Sequence, residues 1–331
     1  MTTLARRSRP VTALFLGLTL LGGCGKEQPA GRAKLVLGDQ VGLSKAKIEA
    51  AKALDGAPFD YEWALFPGAA PLFEALMAGA VDTAPAGDTP VIAAAAAGTP
   101  FKIVAATRSS GRGVAILVPP GSPIRSVADL RGKQVIVSSA RGSVAQYLLL
   151  GALREAKVDP REVKIGFMLP GEATAAFTAG RIDAWATFGT YQATAETRGA
   201  RVLRDGRGIN ASLAFIAVTN AALEDPVKRR AIVDYIRRQR AANAWSIEHP
   251  AEYAEVFQRV TRVTPEVARA VVARENPQLV APSPEIMREL QHVADRFHAE
   301  GVLPAHVDVS SIVDTSIFEE AAKDRSAPRA E

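Results

Sequence analysis

Along most of the chain, short apolar runs alternate with stretches whose apolar positions recur at helical spacing. The runs at 33–38, 61–65, 101–107, 113–118, 134–138, 163–168 and 213–218 predict strands. Between them, 44–53, 71–77, 143–155 and 172–179 predict helices, with Gly79 and Gly180 placed to close two of them. From Asp225 onward the pattern is helical, punctuated by Pro250, Pro265, Pro282 and Pro284. Strands alternating with helices predict an α/β fold with largely parallel sheets.

One helix has an unusual composition. Gly87-Asp88-Thr89-Pro90-Val91-Ile92 runs into five alanines, 93–97. Thr89 reads as the helix cap and Pro90 as the first helical residue. The entrance of such a helix carries unpaired N–H groups and a partial positive charge, which suits an anion. Alanine is a strong helix former without bulk, so it lets the helix pack close to neighbouring backbone.

The sequence also echoes itself. Residues 74–82 read EALMAGAVD and residues 175–183 read AAFTAGRID. Each is an apolar helix end, a glycine, then a β-branched residue before Asp. Eight or nine residues after its glycine each continues to a second glycine and a threonine, at Gly87-Asp88-Thr89 and Gly189-Thr190. A reused helix–Gly–strand connection would give this pattern, and so would two similarly built lobes that each offer a strand-to-helix loop to a shared cleft. We take the second reading, because loops at the carboxyl ends of strands are where open α/β sheets bind ligands. The expected division is 34–118 with 214–318 as a first, discontinuous lobe and 119–213 as the second. Residues 114–119 and 213–219 then carry the chain between them, in a hinge arrangement that closes around a ligand.

Length and composition fit this picture. The 331 residues are 48% hydrophobic, enough for one large domain or two ordinary ones. Residues 1–23 stand apart, with Arg6, Arg7 and Arg9 before an apolar run at 11–21, which marks an export signal. The formal charge of +5 includes those three arginines, and without them 37 basic residues face 35 acidic ones. No basic run with interleaved aromatics appears, so nucleic acid is not an expected partner. Cys24 is the single cysteine, which excludes an intramolecular disulfide. The last residues, 319–331, read as a solvated tail.

Leu21-Gly22-Gly23-Cys24 resembles the lipobox of bacterial lipoproteins. That resemblance implies cleavage before Cys24, a lipid on its thiol, a tether over 24–33, and a location on the outer face of a membrane. A second resemblance rests on FPGAAPLFEALMAGAVDTAPAGDTP (66–90), AILVPPGSPIRSVADLRGKQVIV (115–137), ARGSVAQYLLLGAL (140–153), AAFTAGRIDAWATFGTY (175–191) and RVLRDGRGI (201–209). In their order these stretches resemble the substrate-binding proteins of ABC transporters for aliphatic sulfonates. The wider group also holds taurine, nitrate and thiamine-precursor binders. The resemblance implies a two-lobed type II periplasmic binding fold and a monomer. It also implies a small organic anion as ligand, and an inner-membrane permease with its ATPase as partners. Three departures fall at cleft positions. Asp39-Gln40-Val41 stands for Tyr-Gln-Lys, Arg141-Gly142-Ser143 for Lys-Gly-Ser, and Phe188-Gly189-Thr190-Tyr191 for a run with Trp-Asp-Pro-Tyr. They leave the exact ligand within the group open.

Candidate ligand contacts follow. In the first lobe they are Gln40, Phe66, Pro67, Gly87, Asp88 and Thr89. In the second, Arg141, Gly142 and Ser143 open a long helix and offer amides, a hydroxyl and a guanidinium that can grip an oxyanion. Ser139 ends the preceding strand. Phe188, Gly189, Thr190 and Tyr191 would supply an aromatic wall, with Trp185 expected in the core. Asn210 and Ser212, the latter outside the residues described below, are weaker candidates at the return hinge. Asp88 has three open roles: support of the helix N-terminus, a pair with Arg141, or acceptor of an ammonium on the ligand. His249, His292, His298 and His306 lie away from every motif, and no phosphate-cradling loop or nucleophile elbow occurs, so no catalysis, cofactor or metal is expected. A ligand sensor for a membrane receptor is the alternative to a transport component.

Overall fold

The computed structural model describes residues 32–210, 213–274 and 278–323; Cys24 and the expected export signal lie outside them. The chain begins with β1 (Lys34–Gln40), α1 (Leu43–Ala50), β2 (Asp60–Phe66), α2 (Ala69–Met77), β3 (Thr83–Gly87), α3 (Asp88–Ala96) and β4 (Phe101–Arg108). A second series follows: β5 (Val114–Val118), β6 (Gln134–Ser138), α4 (Val144–Glu155), β7 (Lys164–Met168), α5 (Pro170–Thr178), β8 (Ala184–Phe188), α6 (Gly189–Thr197) and β9 (Arg201–Asp205). The last part holds β10 (Leu213–Thr219), α7 (Asn220–Glu224), α8 (Pro226–Glu248), α9 (Pro250–Thr261), α10 (Pro265–Val272), β11 (Leu279–Val280), α11 (Pro284–Ala299) and α12 (Ser316–Lys323).

Two mixed sheets result. The first has the order β11-β4-β10-β3-β1-β2, and the second β7-β6-β8-β5-β9. In the first, β1 is parallel to β2 and β3, and β10 runs antiparallel between β3 and β4. In the second, β6 is parallel to β7 and β8, and β5 runs antiparallel between β8 and β9. Helices cover both faces of each sheet, as the near-continuous apolar strands require. Ala115, Ile116, Leu117 and Val118 of β5 are fully buried, as are Val104, Ala105 and Ala106 of β4.

The sequence echo is a structural repeat. In both series the helix before the repeated Asp ends with glycine at positive φ, at Gly79 (70°) and Gly180 (67°). The following N–H groups, of Ala80 and Arg181, turn back to Ala75 and Ala176. The repeated carboxylates then take equivalent bonds. Asp82 Oδ2 accepts from the N–H of Val36 at 2.7 Å, and Asp183 Oδ2 from that of Gln134 at 2.8 Å. Each Asp thereby fixes the start of the central parallel strand of its own sheet.

The expected crossing points shift. β5 is a strand of the second sheet, so the stretch up to residue 118 does not all belong with the first. The chain passes over at 109–113 and starts back at 206–210. An apolar strand reads alike whichever sheet holds it, so the pattern alone does not place β5. The two crossings touch: the Gly206 N–H donates to Gly111 O at 3.1 Å and to Val114 O at 3.0 Å. A Cβ on Gly206 would stand 2.7 Å from Gly111 O, so this crossing admits no side chain. The expected tail also starts too early. Residues 319–323 belong to α12, whose Ile317, Phe318 and Ala321 are buried. Likewise α1 ends at Ala50 rather than 53, because Lys52 turns left-handed (φ 49°) and Ala53 N–H closes on Ile48 O.

Candidate functional site

The carboxyl ends of β1, β3, β6 and β8 and the two crossings surround a cleft of about 470 Å³. The walls nearly touch at its floor. A Cβ on Gly87, at the end of β3, would stand 2.6 Å from Val144 Cγ1, the first residue of α4. A Cβ on Gly142 would stand 2.7 Å from Ala93 Cβ in α3. Glycine on one wall therefore meets a short side chain on the other, twice. This is what the alanine composition of α3 accomplishes: it lets backbone from the second sheet's half approach the helix.

The entrance of α3 differs from the expected cap. The helix starts at Asp88, with Gly87 extended before it (φ −65°, ψ 171°). Pro90 is the third helical residue, where its missing N–H still costs nothing. The cap comes from Asp88, whose Oδ1 accepts the Thr89 N–H at 2.7 Å. The Thr89 side chain is fully buried, its hydroxyl has no partner among the described residues, and it is not part of the cleft lining. Asp88 is 1% exposed, lines the cleft, and leaves Oδ2 without a hydrogen-bond partner. Burial pushes its carboxyl up to about 7, against the opposing pull of the Thr89 N–H and its own. It forms no ion pair with Arg141.

On the facing wall, Ser143 caps α4, with Oγ accepting from Gln146 N–H at 3.2 Å. The Gln146 side chain also accepts the Gly142 N–H at 2.7 Å. That amide, expected to be open to a ligand, is thus taken within the loop. Helix geometry leaves the N–H groups of Val144 and Ala145 without an intrahelical acceptor, and their partial charge remains at the cleft. Arg141 lines the cleft and lies over the Phe167 ring, its guanidinium carbon 5.3 Å from the centroid. Stacking holds the side chain while its N–H groups stay available.

Ser139 is buried at the end of β6 with φ at 73°, and its N–H is bonded to Met168 O. A non-glycine residue in this region costs about 1 kcal/mol or more and points to a constrained site. Ser139→Gly is expected to raise stability by about 0.5 kcal/mol in urea denaturation, the relief of strain exceeding the added freedom of the unfolded chain. A loss of stability would show instead that the hydroxyl holds the loop.

The cleft mouth is aromatic on one side. Phe188 lines it and meets Tyr191 edge to face, with centroids 6.2 Å apart. The Tyr191 hydroxyl donates to Pro67 O across the mouth at 3.3 Å. Gly68 beside it faces Ser139 Oγ and Phe188. Gly189 also lines the cleft (φ 57°), tied by its N–H to Gly113 O. Phe66 packs on the first sheet's core and Thr190 is buried, so neither lines the cavity. Trp185 is fully buried, with its indole N–H on Ser138 Oγ at 2.8 Å. Gln40 lines the cleft but commits its amide N–H to Pro85 O. Asn210 lines it and donates to Val144 O at 3.2 Å.

A second polar end of the cleft lies outside every sequence motif except Asp39-Gln40-Val41. Asp39, Lys47, Gln239 and Asn243 line it, all buried. Burial pushes Asp39 up to about 6, although it accepts the N–H groups of Gln40, Ser44 and Lys45 at the start of α1. Gln239 and Asn243 stand four apart on α8, and Gln239 Nε2 donates to Asn243 Oδ1 at 3.0 Å. Two amides at that spacing among the buried residues of a long helix were the available signal.

The chain is similar to known proteins in sequence and fold. An Escherichia coli K12 protein named as aliphatic sulfonates-binding is 30% identical over 250 residues, 75% of this chain and 77% of that protein. The solved alkanesulfonate-binding protein SsuA from Xanthomonas axonopodis pv. citri, bound to MOPS, is 28% identical with a TM-score of 0.78, covering 86% of this chain and 99% of that one. The fold alone is shared with the desulfurization enzyme DszB, at 15% identity, a TM-score of 0.64, and coverage of 88% and 99%. The sequence pattern of the NMT1/THI5-like family matches residues 67–252, more than half of the chain, and the protein belongs to that family.

Proposed function

We propose that this protein is the extracytoplasmic binding component of an ABC importer for an aliphatic sulfonate-like organic anion. It is anchored through a lipid on Cys24 and delivers its ligand to a membrane permease with its ATPase. The observation that carries this reading is the cleft itself. Its two walls come from different sheets, meet through Gly87–Val144 and Gly142–Ala93, and offer Arg141 with the start of α4 to an anion. Ligand contacts made to both walls favour the closed arrangement, which is the form presented to the permease.

Among the described residues, no group of three or more His, Cys, Asp or Glu is placed to hold a metal ion. The histidines are engaged elsewhere: His249 stacks on Trp245, and His306 faces Asp295. No helix among the described residues is long and apolar enough to cross a membrane, so attachment in this reading rests on the lipid.

The test is calorimetric titration of the purified protein with ethane-, propane- and butanesulfonate against sulfate, nitrate and matching carboxylates. The sulfonates are expected to bind most tightly. Arg141→Ala is expected to weaken them by about tenfold, the loss of one charge-assisted hydrogen-bonding group. Binding of the other anions in preference to every sulfonate would overturn the reading.

A further inference from the structure

α4 serves both halves of the protein. Its Ala145, Leu148, Leu149 and Leu153 are buried in the core of the second sheet's half. Val144, Tyr147, Leu150 and Arg154 stand three or four residues apart, so they form one row along another face of the helix. That row meets the first sheet's half. Val144 is opposite Gly87, and Leu150 packs on the apolar cluster that includes Ala84 and Ala86 of β3 and Ile103 of β4.

Tyr147 goes further than its neighbours in the row. It is 3% exposed, and among the described residues it is the one buried member of that cluster to come from 114–205. Its ring meets Phe297 of α11 edge to face, with centroids 5.2 Å apart. Arg296 Nη1 donates to its hydroxyl at 3.2 Å, and the guanidinium carbon lies 5.8 Å from the ring centroid. Two turns along α4, Arg154 pairs with Glu300, directly after α11. Tyr147, Arg296 and Phe297 are not part of the cleft lining.

α4 also rides on the return crossing. Asn210 donates to Val144 O at 3.2 Å, and a Cβ on Gly151 would stand 2.3 Å from Ile209 Cγ2. A change of angle at the crossing is therefore passed to α4 and moves Tyr147 with it. Parting the cleft walls draws the ring away from Phe297 and exposes it to water. An aromatic side chain is among the largest apolar surfaces a single residue can bury. Opening thus carries a cost that no ligand contact supplies.

We infer that Tyr147 is the latch of the closed form, a positioning residue that holds the halves together around a ligand it does not touch. The residues of the cleft decide which ligand binds. Tyr147, with the Arg154–Glu300 pair beside it, sets how long that ligand stays. The latch needs no ligand to form, so it also draws the halves together in the unliganded protein. The inference takes the sulfonate of the reading above as its probe.

The experiment measures dissociation of butane-1-sulfonate by stopped flow and the radius of gyration of the unliganded protein by small-angle scattering. Tyr147→Ala is expected to raise the dissociation rate about tenfold or more, with little change in association, and to enlarge the radius. Tyr147→Phe keeps the ring and should give a smaller rise. Arg154→Glu, at an exposed position, is expected to speed dissociation about threefold, and Glu300→Arg in the same chain to return it toward the unmodified rate. General damage to the fold would not be repaired by the second reversal. An unchanged dissociation rate in Tyr147→Ala, or in Arg154→Glu should the first variant not fold, would overturn the inference and leave the sulfonate reading standing. If the unmodified protein binds no butane-1-sulfonate, the sulfonate reading falls, and the scattering comparison decides the latch: an unchanged radius overturns it.

Discussion

Gly87→Ala is expected to weaken ligand binding by about tenfold or more while leaving the fold nearly as stable. The residue has ordinary extended backbone (φ −65°, ψ 171°), so alanine meets no strain in its own chain. What it meets is Val144 Cγ1, 2.6 Å from where the new methyl would lie. Real Cβ atoms do not come so close, and Val144 is stiff about χ1, so it cannot swing aside. The conflict lies between the two walls of the cleft, and the walls relieve it by parting. Overpacking of this kind costs about 1–3 kcal/mol, and 1.4 kcal/mol is a factor of ten in affinity. Titration of the variant measures the effect, and Val144→Ala in the same chain checks its cause. The second substitution removes the obstructing methyls and should restore most of the lost affinity, a coupling that a double-mutant cycle isolates. Additive losses would mean that Gly87 matters for another reason.

Asp88→Asn is expected to make the unliganded protein more stable at pH 8, and by a smaller margin at pH 5. The carboxyl is raised from 3.8 to about 7 by burial, so the folded protein holds this proton more firmly than the unfolded chain does. That contribution to stability is fully present below about pH 4, shrinks as pH rises, and is gone above pH 7, where the buried group is charged. Asparagine cannot ionise and keeps the advantage throughout. A rise of this size corresponds to a difference on the order of a few kcal/mol, since a tenfold change in proton affinity is about 1.4 kcal/mol. Asp39, raised to about 6, imposes its own decline with rising pH and remains in the variant. The readout is therefore the gap between the two proteins in urea denaturation at pH 5, 6 and 8. A gap that does not widen with pH would mean that the carboxyl is solvated.

The repeat was legible because it is written in residues with strict local requirements. Glycine at a left-handed helix end and Asp bonded to a neighbouring strand leave the same short signature twice, at 79–82 and 180–183. β1, β2, β4, β5, β6, β7 and β10 were legible as apolar runs. β3, β8 and the edge strands β9 and β11 were not. β9 reads RVLRD, partly exposed and charged at three of its five positions, and β11 has two residues. Neither carries enough pattern to distinguish it from a loop.

In the cleft, the sequence indicated which loops converge, and that Trp185 belongs to the core. It did not show who bonds to whom. Thr89 looked like the cap, but Asp88 holds that N–H. Gly142 looked like an open amide, but Gln146, four residues on, reaches back to it. Both outcomes depend on side-chain rotamers competing for one donor. The buried amides of Gln239 and Asn243 were hidden in a long helix some two hundred residues from Asp39, the neighbour they share the cleft with.

The crossing of the two linking segments has a consequence for how the protein can be taken apart. Val114 O lies 3.0 Å from the Gly206 amide, so the stretch that builds the second sheet begins and ends at the same place. It has buried apolar residues on both faces of its own sheet, including Ile116 on one side and Trp185 on the other. Such a stretch behaves as a guest inserted into a host chain. A polypeptide of residues 113–206 is expected to fold by itself, and a short linker between 111 and 207 to close the host over the gap.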